Sequence, residues 1–172
     1  KDEKDASYFI HHANFIACHV YSFIEKLDIL KDAAEGGTFL LNSPFGPDEI
    51  WDKLPLTYQK RIIDKKLKFY VVDAVKVAEQ TGMGSRTNTI LQTCFFAISQ
   101  ILPQDEAIAA IKDSIVKTYT KKGQAVVDKN IAAVDATLRE LHEVKVPAET
   151  TATFDLLPAV TNEDAPEYVK EV

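Results

Sequence analysis

The residues best placed to do chemistry lie in Gly82-Met83-Gly84-Ser85-Arg86-Thr87-Asn88-Thr89, and that chemistry is the binding of an anion. Two glycines allow a tight turn with an open main chain, where side chains would block a ligand. The hydroxyl and amide residues after Arg86 suit the cap and first turn of a helix. Arg86 is the only arginine between Arg61 and Arg139. A guanidinium at a capped helix start is a seat for phosphate, because free N–H groups, the helix dipole and a forked donor all favour negative charge. The same residues also make an ordinary loop and N-cap, and the glycine spacing alone leaves both readings open.

Two further places carry amide groups. Asn130 interrupts the good helix-forming run around Asn130-Ile131-Ala132-Ala133-Val134-Asp135 and must hydrogen-bond either a neighbour or a ligand. Asn42-Ser43-Pro44 follows a strand, on the side where open α/β sheets bind ligands, and it equally suits a turn. His11, His12, His19 and His142 have no serine, cysteine or carboxylate at a spacing that suggests a triad. The residues give no self-contained catalytic centre and no metal site. Cys18 and Cys94 sit in apolar runs and read as reduced core thiols.

The elements that must position these groups alternate. Asn14–Val20, Thr38–Leu41 and Lys68–Asp73 are apolar strand-length runs, and Ser7–Ile10 suits an edge strand. Phe23, Leu27, Leu30 and Ala34 recur at helical spacing before Gly36-Gly37, so a helix is expected there, giving a strand–helix–strand unit. Short helices are expected from Pro47, over Leu56–Lys66 and over Val75–Gln80. Thr89–Ile101 should be a helix buried on both sides. Another opens at Pro103-Gln104-Asp105, and after Gly123 the residues Val127, Ile131, Val134, Leu138 and Leu141 line a last long helix. His142 is expected to close it. Three strands are few for such a sheet, which implies completion by preceding chain or by a partner.

Composition bounds the rest. Of 172 residues, 46% are hydrophobic and 27% charged, as in one globular unit. With 20 basic against 26 acidic residues the net charge is −6, which argues against nucleic acid as a partner. Seven of the acids lie from Glu143 onward beside two lysines, in a proline-punctuated stretch that reads as a linker. No run reaches membrane-spanning length, and the charged start does not read as a signal peptide.

Taken together, Phe15-Ile16-Ala17-Cys18-His19, Glu35-Gly36-Gly37-Thr38-Phe39-Leu40-Leu41-Asn42-Ser43, Tyr70-Val71-Val72-Asp73-Ala74, Arg86-Thr87-Asn88-Thr89-Ile90-Leu91-Gln92-Thr93, Thr118-Tyr119-Thr120-Lys121-Lys122-Gly123 and Asn130-Ile131-Ala132-Ala133-Val134-Asp135 resemble the pyruvate:ferredoxin (flavodoxin) oxidoreductases. The likeness runs in family order from about His11 to Pro147. It corresponds to the later part of the gamma domain, so the expected fold is α/β: a three-layer Rossmann-like sheet, incomplete with about three strands, and a helical C-terminal half. Residues 1–147 would be that part of the domain, and 148–172 an extended acidic linker toward a ferredoxin-like domain.

The resemblance implies a segment of an enzyme that oxidatively decarboxylates pyruvate to acetyl-coenzyme A. Thiamine diphosphate, magnesium and three [4Fe–4S] clusters would serve the whole enzyme, with none bound by this segment. It implies that coenzyme A is held here, with Asn88 and Asn130 as contacts and Arg86 beside them. The family's glycine-rich phosphate loop and its following lysine would lie upstream of Lys1. The implied partners are the remaining domains, a second copy in a homodimer, and ferredoxin or flavodoxin as electron acceptor, with an NADP-linked enzyme as a variant. The implied compartment is the cytoplasm, or a mitochondrion or hydrogenosome in a eukaryote. The competing class is a non-catalytic interaction module tethered by its acidic tail.

Overall fold

The computed structural model describes residues 9–11, 14–84, 87–99 and 103–156. The expected solvated start over Lys1–Ala6, the prolines Pro158 and Pro166, and Arg86 lie outside the described residues.

Five strands form one sheet in the order β1 (Phe9–His11), β2 (Phe15–Cys18), β3 (Thr38–Asn42), β4 (Lys68–Val72) and β5 (His142–Val144). β2, β3 and β4 are mutually parallel, with Phe15 opposite Thr38 and Thr38 opposite Lys68. β1 and β5 run antiparallel to their neighbours, Phe9 pairing Cys18 and Phe69 pairing Val144. The three central strands are the apolar runs read from the sequence. Both faces of a parallel sheet are covered, so neither face needs polar alternation.

One face carries Ile16, Cys18, Phe39, Leu41, Phe69 and Val71. It packs on α1 (Ile50–Lys53), α2 (Leu56–Asp64) and a 3₁₀ turn at Tyr21–Glu25. The other face, with Phe15, Ala17, Leu40 and Val72, packs on α3 (Ala74–Gln80), α4 (Asn88–Ser99) and α6 (Gln124–Glu140). α5 (Gln104–Tyr119) packs outside these through Ile115 against Val127 and Val134 of α6. The architecture is therefore the expected three-layer α/β arrangement with a helical second half.

The helix expected from Phe23 to Ala34 is absent. After the single 3₁₀ turn, residues 26–37 form a chain of turns held by side chains from α2. The Tyr58 hydroxyl donates to the Leu27 carbonyl and accepts from Ile29 N–H at 3.2 Å. Lys65 Nζ donates to the carbonyls of Leu30, Lys31 and Ala33 at 3.1, 2.6 and 2.9 Å. Arg61 pairs with Asp28 at 2.6 Å. Carbonyls that a helix would use internally are here used for tertiary contact, and that override is invisible to periodicity. Gly37 is demanded by close approach, since a Cβ there would lie 3.0 Å from the carbonyl oxygens of both Ala34 and Asn14.

The strand count is also corrected. β5 pairs Val71, Tyr70 and Phe69 of β4 with His142, Glu143 and Val144, so His142 starts an edge strand and does not close a helix. Two three-residue antiparallel strands thus flank the parallel core within this chain, where completion from outside was expected.

Residues 145–156 form no helix or strand, yet they are tied down at their far end. Gln59 of α2 is fully buried, and its Oε1 accepts from Thr151 N–H at 2.8 Å and Ala152 N–H at 2.9 Å. Leu56 N–H donates to the Phe154 carbonyl at 2.9 Å, and Thr57 N–H to Asp155 Oδ1 at 2.8 Å. The segment is a strap across the start of α2.

Both cysteines are free and buried, as expected. Burial pushes the Cys94 thiol up to about 12 and that of Cys18 up to about 11, although Cys18 also donates to the Val20 carbonyl. A thiol whose pKa is raised on folding stays protonated in the native state. Its contribution to stability is present in full below the unfolded value near 9.0 and is lost as pH rises from there through the folded value, about 11 for Cys18 and about 12 for Cys94. Neither thiol should react with a disulfide reagent at pH ~8 on the timescale of an exposed cysteine. Rapid labelling of native Cys94 would contradict this burial.

Candidate functional site

The glycine turn has the geometry its residues allow: φ is +75° at Gly82 and +67° at Gly84, in the left-handed region that side chains avoid. Met83 between them is buried among Val77, Ala78 and Ile90, which anchors the turn to the sheet's helical layer. Asn88 is the first residue of α4 and is exposed.

Asn130 lies on α6 and is 2% exposed. Its Oδ1 accepts from the Thr89 hydroxyl at 2.9 Å, and its Nδ2 donates to the Val126 carbonyl one turn earlier at 2.9 Å. The bond from Thr89 sets Asn130 against the first turn of α4, the turn that Asn88 opens. Thr89 in turn accepts at its carbonyl from the Thr93 hydroxyl at 2.7 Å, which stiffens the first turn of α4. A carboxamide offers two N–H donors and two lone pairs, so one of each on Asn130 is unspent in these bonds. Asparagine in a helix interior is explained locally: it cross-links α6 to the start of α4.

Thr89 also stands at the end of a groove between α4 and α5, a cavity of about 300 Å³. Phe96 and Ile111 form apolar walls, with Gln92, Ser114 and Thr118 as neutral polar groups. Nothing in the residues signals this groove, because α4 and α5 read separately are only amphipathic or apolar helices.

A second depression, about 440 Å³, lies at the carboxyl ends of β2, β3 and β4. Asn42, singled out from the sequence, is here a brace: its Nδ2 donates to the His19 carbonyl and its Oδ1 accepts from Ala74 N–H, both at 3.0 Å. Ser43 is likewise engaged, its hydroxyl accepting from Phe45 N–H at 2.9 Å. The turn reading of Asn42-Ser43-Pro44 is the one these bonds describe. Among the described residues no group of three or more His, Cys, Asp or Glu could hold a metal ion, and no helix is long and apolar enough to cross a membrane.

Comparison with known proteins follows the same lines. Residues 2–140 match the family model described as pyruvate ferredoxin/flavodoxin oxidoreductase. The chain is 52% identical over 167 residues to the pyruvate-flavodoxin oxidoreductase of Rhodospirillum rubrum, covering 97% of this chain and 14% of the relative. It is 45% identical over 172 residues to the pyruvate:ferredoxin oxidoreductase of Moorella thermoacetica, covering 100% of this chain and 15% of the relative. To the mitochondrial pyruvate dehydrogenase [NADP(+)] of Euglena gracilis it is 40% identical over 152 residues, covering 87% and 8%. In fold it is similar to the crystal structure of the pyruvate oxidoreductase subunit PORC from Thermotoga maritima, with a TM-score of 0.59, 20% identity, and coverage of 78% of this chain and 67% of that one. The chain thus spans about one seventh of the length of the first of these relatives.

Proposed function

Since this chain belongs to the pyruvate ferredoxin/flavodoxin oxidoreductase family, we propose that it is the coenzyme-A-holding part of an enzyme converting pyruvate oxidatively to acetyl-coenzyme A. The observation that carries the reading is the convergence of Asn88, Thr89 and Asn130 where α4 begins, beside the α4–α5 groove. In this reading Asn88, exposed at the first turn, bonds the coenzyme directly. Asn130 spends its remaining hydrogen and lone pair on the coenzyme while its other bonds hold Thr89. Arg86, two residues before Asn88, takes a phosphate with its forked donors.

The contribution of this chain is orientation. Fixing the coenzyme so that its thiol meets the acyl group formed elsewhere in the polypeptide turns an encounter between two molecules into an aligned one. Thiamine diphosphate with magnesium and three [4Fe–4S] clusters, carried by other parts of the enzyme, would supply the decarboxylation and electron removal. The acceptor in this reading is ferredoxin or flavodoxin, the enzyme is a homodimer, and the compartment is the cytoplasm, or an organelle in a eukaryote. Residues 148–172 lead toward a ferredoxin-like domain.

Calorimetric titration of coenzyme A into the full-length protein tests the site. Arg86→Ala and Asn88→Ala should each lose about 1–3 kcal/mol of binding free energy, as for a hydrogen bond to a charged or desolvated group. Wild-type affinity in both variants would remove the assignment.

A further inference from the structure

The depression at the carboxyl ends of the parallel strands is separate from the coenzyme site. Glu140, which pairs with Lys76 on its rim at 3.6 Å, lies ten residues beyond Asn130 along α6, roughly 15 Å away. His19 lines the depression, and His19 Nε2 is buried with no hydrogen-bond partner among the described residues. Burial lowers the His19 pKa, so the imidazole is neutral and one ring nitrogen is an acceptor. Asp73 and Glu79 line the same depression against the single lining cation Lys76, which Glu140 already engages; one Asp73 oxygen caps α3 by accepting from Lys76 N–H at 3.0 Å, and the other and Glu79 remain. Acceptors therefore outnumber donors. Val20 and Val75 flank it at 39% and 53% exposure, two of the few large apolar side chains that the described surface leaves open.

We propose that this depression is a socket for a protein loop from another part of the same longer polypeptide, one that inserts a basic side chain over His19 and covers both valines. The relatives show the room for such a loop, since this chain spans 14%, 15% and 8% of the lengths of the three compared above. A phosphate or carboxylate ligand is disfavoured by the two acids, and a small neutral molecule would not reach both apolar shoulders. The fit is that of an interface with a desolvated polar centre and an apolar surround. It is independent of the coenzyme reading, which can fail without affecting it.

Hydroxyl-radical footprinting of the full-length protein tests the socket, with Tyr21, which also lines it, as reporter. In the wild type Tyr21 should be protected, and Val75→Arg and Glu79→Arg should each raise its oxidation about fivefold by admitting water to the contact. Both positions are exposed on α3, and continued protection of Cys94 from thiol reagents would show that the fold is intact. Equal Tyr21 oxidation in wild type and both variants overturns the proposal, as does protection that disappears on desalting, which would indicate a small molecule. Protection that survives desalting and falls in both variants supports it.

Discussion

Replacing Gln59 by leucine is expected to cost about 3 kcal/mol and to release the strap over residues 151–156. The side chain is fully buried and each end of its carboxamide does a different job. Oε1 accepts from the amides of Thr151 and Ala152, while Nε2 donates to the Trp51 carbonyl at 2.6 Å and to the Thr151 hydroxyl at 3.3 Å. Leucine fills a similar volume, so packing changes little and the loss is that of unmade hydrogen bonds. The Trp51 carbonyl stays inside, whereas the strap amides can turn to water, which is why the expected figure lies well below a full penalty for each bond. Hydrogen exchange at Thr151 and Ala152 in the full-length protein is the measurement. Unchanged exchange would mean that Leu156 and the bonds from Leu56 to Phe154, Thr57 to Asp155 and Thr151 to Asp52 hold the strap without Gln59.

Phe39→Ala should cost more, about 3–5 kcal/mol, the range for removing a large aromatic side chain from a core that relaxes only partly. Phe39 is fully buried in the central strand β3. Its ring stacks on Phe69 with centroids 5.3 Å apart and planes 8° apart, and meets Tyr58 at 6.1 Å. Tyr58 is also the residue whose hydroxyl holds the Leu27–Ile29 turns. A cavity at residue 39 therefore weakens both the sheet and the crossover between β2 and β3. The expected result is loss of exchange protection at the Leu40 and Leu41 amides together with Ile29. Loss at the strand alone would show that the crossover is held by Lys65 and Arg61 without Tyr58.

How far the residues announced this structure depends on where each element's bonds go. β2, β3 and β4 were legible because a strand covered on both faces is apolar almost throughout. α4, α5 and α6 were legible from their spacing and from Pro103 and Gly123. The run from Phe23 to Ala34 has helical spacing but no helix, because Tyr58 and Arg61 of α2 and Lys65 just past its end claim its backbone and Asp28. β5 was missed because His142-Glu143-Val144 is three residues long, two of them exposed, and only β4 makes it a strand. At the site, Asn130 was legible as an anomaly in its helix. That its partner would be Thr89 was not, since nothing local couples residue 130 to residue 89.

The antiparallel edge strand and the strap have a joint consequence for how this unit sits in a larger polypeptide. Phe9 pairs with Cys18, so the described chain comes in at the carboxyl end of the parallel strands. α2 descends from that end toward Lys65, which bonds Gly36 near the opposite end, and the strap climbs back to the start of α2. Entry and exit therefore share one side, like a cassette whose two leads leave through the same panel. Residues inserted after the strap should therefore be tolerated better than a change that moves the strap off the start of α2.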